Sequence, residues 1–126
     1  MNATVKDMMA AANAAVPRIT PLEAREMMEK GNTVVIDVRD APEAEKTGRI
    51  AGAVHISRGM LEFRADADTP YHDSNLTKDR TVIVYCASGG RAALSGKVLK
   101  DMGYGHVYNM GGIGDWIASG GAVEPK

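Results

Sequence analysis

Short apolar runs alternate with helical patterns along the whole chain. The two strongest runs are Thr33 to Val38, with Val34, Val35 and Ile36 in succession, and Thr81 to Tyr85, with Val82, Ile83 and Val84. Unbroken β-branched runs of this length predict parallel strands covered on both faces. Shorter strand patterns lie at Gly52 to Ile56 and His106 to Met110, and Arg18-Ile19 reads as a short edge strand. The helical patterns come with their own punctuation. Thr4 to Ala15 is rich in Ala and Met and ends at Pro17. Thr20, Pro21 and Glu23 supply an N-cap, a first-turn proline and a capping-box acid, and Gly31 stops that helix. Asp40 caps a short helix that ends at Gly48, and Met60 to Ala65 forms another brief one. Leu94, Val98, Leu99 and Met102 recur at helical spacing before Gly103. A last helix surrounds Trp116 and stops at Gly120-Gly121, while Asp66 to Lys78 has the composition of an irregular loop.

Strands that alternate with helices across connections too long for hairpins predict an α/β fold, with a mainly parallel sheet and helices on both faces. At 126 residues the chain holds one domain and one core. The reading divides it into an N-terminal helical extension, residues 1–17, and a domain spanning 18–126. A net charge of -1 and scattered basic residues argue against a nucleic-acid or membrane partner. The apolar stretch from Met8 to Val16 is short and interrupted for a signal core, and no run has the length of a membrane span, so a cytoplasmic protein is expected.

The one cysteine, Cys86, changes the picture. It ends the second strong apolar run and is followed by Ala87, Ser88, Gly89, Gly90 and Arg91, after which the helical pattern starts. A lone cysteine at a strand end is by itself most often an inert small hydrophobe. A packing cysteine, however, has no use for an open glycine loop and a cation. Two glycines let backbone N–H groups turn inward, the helix N-terminus adds partial positive charge, and Arg91 carries forked donors suited to an oxyanion. Those features describe an anion cradle around a nucleophilic thiolate. In an open parallel sheet, ligands bind beyond the carboxyl ends of the strands, where Cys86 falls. One cysteine makes neither an internal disulfide nor a cysteine-based zinc site, and a reducing compartment suits it.

Four ordered motifs carry a family resemblance. Ile36-Asp37-Val38-Arg39, Gly48-Arg49-Ile50-Ala51-Gly52-Ala53, Tyr85-Cys86 through Arg91, and Gly111-Gly112 with Trp116 together resemble the rhodanese-like (sulfurtransferase) domain, from about Thr20 to Ala118. The resemblance implies a five-stranded parallel sheet and a cysteine that carries sulfane sulfur as a persulfide. By motif, Cys86 is the implied catalytic nucleophile and Ala87, Ser88, Gly89, Gly90 and Arg91 the substrate-binding loop. Asp37, Arg39, Gly111, Gly112 and Trp116 match architectural positions. Arg49 stands where the family usually has His. The loop has the shorter of the family's spacings, which fits sulfur rather than a tetrahedral phosphate centre.

The expected activity is transfer of sulfane sulfur from a thiosulfate-like or persulfide donor to cyanide or a thiol, with no cofactor and no metal. A sulfur relay between protein partners is the second reading. A cysteine-dependent phosphatase or arsenate reductase is the third, and it would need a carboxylic acid such as Asp66 or Asp115. Arg58, after the third predicted strand, reads equally as a further substrate-binding cation or a solvated loop residue, and Phe63 and Tyr71 either roof the pocket or pack. Lys97 reads as surface and His55 as a satisfied core residue. His72 and His106 have no metal-ligand neighbours in sequence.

Overall fold

The computed structural model describes residues 3–125; residues 1, 2 and 126, at the outer ends of the expected extension and domain, lie outside them. Thr4 caps α1 (Val5–Ala15), its hydroxyl accepting the Asp7 amide at 3.1 Å. Thr20 and Glu23 form the expected reciprocal cap on α2 (Pro21–Lys30), and Gly31 ends it at φ 86°. Then follow β1 (Thr33–Asp37), α3 (Ala41–Thr47), the two-residue strands β2 (Arg49–Ile50) and β3 (Val54–His55), and a 3-10 turn that runs into α4 (Leu61–Ala65). Beyond an irregular stretch come β4 (Thr81–Cys86), α5 (Gly90–Asp101), β5 (His106–Gly112), α6 (Ile113–Ala118) and β6 (Val123–Glu124).

The main sheet is wholly parallel, in the order β3-β1-β4-β5. Four strands stand where five were expected. Arg18-Ile19 makes only an isolated bridge to Asn109, through Ile19 N–H to the Asn109 carbonyl and Asn109 N–H to the Pro17 carbonyl, both 3.0 Å. Pro17 has no N–H on one side and Thr20 begins a helix on the other, so two residues are all that can pair. A second departure is the small antiparallel sheet of β2 and β6, with Arg49 opposite Glu124. Two-residue strands carry no readable periodicity.

Alternation along β4 divides the core. Val82, Val84 and Cys86 face a layer containing Leu61, Ala92, Leu99 and Val107, whereas Ile83 and Tyr85 face Ala24, Met110, Ile113 and Trp116. The Cys86 side chain is thereby committed to the face on which α5 returns. Helix α1 lies against α5, and its continuation at Val16 enters the same layer as Cys86. Gly96 of α5 makes room for it, since a Cβ there would sit 2.9 Å from a Val16 methyl.

Candidate functional site

All four strands of a parallel sheet end on one edge, so Asp37, His55, Cys86 and Gly112 are gathered there by topology. Between Val84 and Tyr85 the register against β5 slips by one residue, bringing Cys86 opposite Gly112. The chain then turns through Ala87, Ser88 and Gly89 and enters α5. Gly89 takes φ 109°, a conformation costly for any residue with a Cβ, and its amide points back at Cys86 Sγ at 3.0 Å. Cys86 itself is 1% exposed, at the floor of the loop.

No side chain caps α5. Its backbone ladder begins with Ala93 N–H bonded to the Gly89 carbonyl at 2.9 Å, so the amides of Gly90, Arg91 and Ala92 have no helical acceptor. The loop therefore combines one amide already on sulfur with an uncapped helix N-terminus beside it. Asn109, buried in β5, fixes the arrangement from behind. Its Nδ2 donates to the Gly89 carbonyl at 3.1 Å, and its Oδ1 accepts the Gly111 amide at 2.8 Å. The sequence reading missed Asn109; a polar residue inside His106–Met110 was the available signal.

Arg91 is held differently from expectation. Its Nη1 and Nη2 donate to Glu43 Oε1 and Oε2 at 2.6 and 2.8 Å, a bidentate pair that engages two of the five guanidinium N–H donors. The Arg91 hydrogen bond brings the Glu43 carboxyl down to about 2, and the same bond raises Arg91. Glu43, on the first turn of α3, lies 48 positions from Arg91 in sequence, and nothing local in the chain singles it out.

Asp37 and Arg39 form a buried pair beneath the edge. Arg39 Nη2 lies 2.7 Å from Asp37 Oδ2 and 2.9 Å from the Gly48 carbonyl, while its Nη1 meets Thr47 Oγ1 at 2.7 Å. Tyr85 donates to Asp37 Oδ2 and accepts the Ile50 amide, both at 3.0 Å, and burial pushes its phenol well up. This network ties β1, β2 and β4 together.

Arg58 pairs with Glu62 at 2.9 Å and lines a cavity of about 250 Å³ with Met8, Ala11, Leu94, Lys97 and Val98. None of its hydrogen bonds among the described residues reaches the Cys86 loop. Phe63 and Tyr71 meet edge to face at 6.2 Å and line a separate surface cavity of about 370 Å³ with Met60. His55 Nε2 bonds the Arg39 carbonyl at 2.7 Å and His72 Nε2 the Leu76 carbonyl at 2.9 Å. Among the described residues there is no cluster of three or more His, Cys, Asp or Glu side chains able to hold a metal ion, and no helix long and apolar enough to cross a membrane.

A parallel α/β domain with its cysteine in a glycine-rich, amide-lined loop at the carboxyl edge is a well-defined class of protein. The chain belongs to the rhodanese-like domain family, whose model matches residues 20–119. The thiosulfate sulfurtransferase GlpE of Coxiella burnetii is 34% identical over 103 residues, 80% of this chain and 87% of that protein. A polysulfide-sulfur transferase homodimer from Wolinella succinogenes superposes with a TM-score of 0.77 at 30% identity, covering 96% of this chain and 87% of its own. A protein of unknown function from Rhodopseudomonas palustris CGA009, described as a possible tyrosine phosphatase, reaches a TM-score of 0.89 at 34% identity, with 98% of this chain and 96% of that one covered.

Proposed function

We propose that this protein is a sulfurtransferase that carries sulfane sulfur on Cys86 as a persulfide, with thiosulfate or a persulfide as donor and cyanide or a thiol as acceptor. The Gly89 amide on Sγ, beside the uncapped N-terminus of α5, carries the reading. Amide donors aimed at a sulfur hold negative charge there as an oxyanion hole does. Similarity to sulfurtransferases at 30–34% identity over most of the chain supports the same class of chemistry.

In the proposed first step the Cys86 thiolate attacks the outer sulfur of thiosulfate. A new S–S bond forms, the donor's S–S bond breaks, and sulfite leaves with the electron pair. The terminal persulfide sulfur then bears the negative charge, facing the loop amides of Ala87 to Arg91. In the second step cyanide attacks that terminal sulfur; thiocyanate departs and the thiolate is restored, which is double-displacement kinetics. Arg91, with three N–H donors beyond those given to Glu43, remains able to bind the donor's oxygens.

A phosphatase needs a proton donor for its leaving group. Glu43, the carboxylate paired with Arg91, is held ionised, and neither Asp66 nor Asp115 makes a hydrogen bond to the Cys86 loop among the described residues. Intact-protein mass after thiosulfate treatment tests the choice. The expected result is one added sulfur atom, absent in Cys86→Ser and discharged by cyanide as thiocyanate. An unchanged mass in the wild type, with aryl phosphate hydrolysis instead, would overturn the proposal.

A further inference from the structure

The cations around the loop are nearly all spoken for. Arg91 is clamped by Glu43, Arg58 by Glu62 and Lys97 by Asp101, and Arg39 is buried on Asp37. Arg18 is different. It is exposed, and among the described residues its side chain has neither a hydrogen-bond acceptor nor an ion-pair partner. The single bridge to Asn109 fixes its backbone on the outer edge of β5. From there its side chain runs toward the carboxyl edge, and the guanidinium comes to rest on two glycines.

Those glycines form a seat. A Cβ at Gly111 would lie 3.0 Å from Arg18 Cζ, and one at Gly89 would lie 3.2 Å from Nη1 and 3.3 Å from Nη2. Both glycines have positive φ, 93° and 109°. Backbone conformation disfavours a side chain at both positions, and a Cβ at either would displace the guanidinium from where it rests. Gly89 is also the residue whose amide donates to Sγ at 3.0 Å, which keeps the Arg18 guanidinium within about 9 Å of the sulfur. So placed, the guanidinium lies over bare backbone beside the loop, and all five of its N–H donors remain available to a ligand.

We infer that Arg18 is a donor-selecting cation on the rim of the Cys86 loop, holding the remote anionic end of a doubly charged oxyanion donor such as thiosulfate. The inference rests on the persulfide reading above and adds the charge class of the donor. Arg91, compensated by Glu43, contributes direction but little net charge, so the charge that distinguishes a dianion from a neutral donor comes from Arg18 and the helix amides.

The test compares wild type, Arg18→Ala and Arg18→Lys with two donors at fixed cyanide: thiosulfate, a dianion, and neutral dimethyl trisulfide. The thiolate attacks the central sulfur of the trisulfide with loss of methanethiolate, which then cleaves the Cys86 methyl trisulfide to the persulfide and dimethyl disulfide. For thiosulfate, Arg18→Ala is expected to raise KM about tenfold with kcat changed less than about twofold, an effect that shrinks as ionic strength rises. The neutral trisulfide should show no more than about a twofold change, and Lys should restore part of the thiosulfate KM. Equal losses on both donors, or an unchanged thiosulfate KM, overturn the assignment to Arg18. Thermal unfolding of each variant separates a folding defect from a binding one, and thiosulfate titration into Cys86→Ser against Cys86→Ser/Arg18→Ala reads the charge contribution without turnover. If the wild type takes sulfur from neither donor, the persulfide reading itself fails and this inference with it. If it takes sulfur from both and Arg18→Ala keeps the same donor preference, only the role of Arg18 is lost.

Discussion

Replacing Gly112 by alanine tests whether the Cys86 loop works through its geometry. Gly112 ends β5 with φ -116° and ψ 152°, which any L-residue adopts without strain, so the methyl group is the whole perturbation. That methyl would fall well inside contact distance of the Ala87 carbonyl oxygen, 3.0 Å from the Ala87 carbonyl carbon and 3.3 Å from Ser88 Cα. Every one of these atoms is backbone, so no rotamer change relieves the clash. Either the loop moves away from β5 by on the order of 1 Å or the end of β5 moves away from the loop. The first movement pulls Ala87 and Ser88 off the position that sets the Gly89 amide on Sγ; the second strains the Cys86–Gly112 pairing.

Overpacking against backbone costs about 1–3 kcal/mol of stability. A displacement of about 1 Å at a reacting centre costs about 100-fold in rate. The expected result is therefore a thiosulfate:cyanide kcat/KM lower by about two orders of magnitude in a protein still folded at 25 °C. Gly114→Ala is the matched control, because a Cβ at Gly114 meets nothing within 4 Å and the position is helical. It should leave activity within about twofold and stability unchanged or slightly higher. Steady-state assays with both variants, alongside urea unfolding, read the two effects separately. Gly112→Ala retaining more than half of wild-type activity, or losing it only in proportion to its unfolded fraction, would refute the reasoning.

Tyr85→Phe removes a wholly buried hydroxyl that accepts the Ile50 amide and donates to Asp37, and should lower stability by about 2 kcal/mol, read as a fall of about 8 °C in Tm. A fall under about 2 °C would show that the Asp37–Arg39–Tyr85 network contributes less than its burial implies. Glu43 gives a pH signature: its carboxyl is held at about 2, below its ordinary 4.5, so the Arg91 pair stabilises the fold above pH 4.5 and loses that contribution as pH falls through 2. Both partners are more than a third exposed, which limits the contribution to about 1 kcal/mol. The urea-midpoint gap between wild type and Glu43→Gln should accordingly narrow between pH 4.5 and 2, and a gap constant over that range would count against the pair.

What the sequence made legible was what is local in the chain. Val82 to Cys86, the glycine turn and the start of α5 follow one another within a dozen residues, and periodicity with turn chemistry placed them to within two residues, α5 starting at Gly90 rather than after Arg91. The caps at Thr20 and Gly31 are equally local. One failure is local, and the others involve partners far apart in sequence. Arg18-Ile19 has the composition of a strand, but pairing is limited by Pro17 and Thr20 on either side, so a fifth strand does not form. β2 and β6 find each other across more than seventy residues with only two residues each. Glu43 meets Arg91 across 48 positions and Asn109 meets Gly89 across 20, and neither contact leaves a pattern in a single chain.

The same distinction explains how charge is arranged around the sulfur. A motif reading assigns the positive charge of the site to Arg91, the cation nearest Cys86 in sequence. In the fold, α3 starts on the same edge as α5, and Glu43 neutralises that cation while fixing its direction. What remains uncompensated is the set of α5 amides, which cannot be neutralised by a side chain because Gly89 at the cap position has none, and Arg18, delivered from the opposite edge of the sheet. Backbone donors are set by φ and ψ and keep their aim through both halves of a double displacement, whichever sulfur carries the charge. A site built in this way depends on the positions of Gly89, Gly111 and Gly112 more than on any one charged side chain, because Gly89 and Gly111 take positive φ and Gly112 lets the Ala87 backbone approach where a methyl group would not fit.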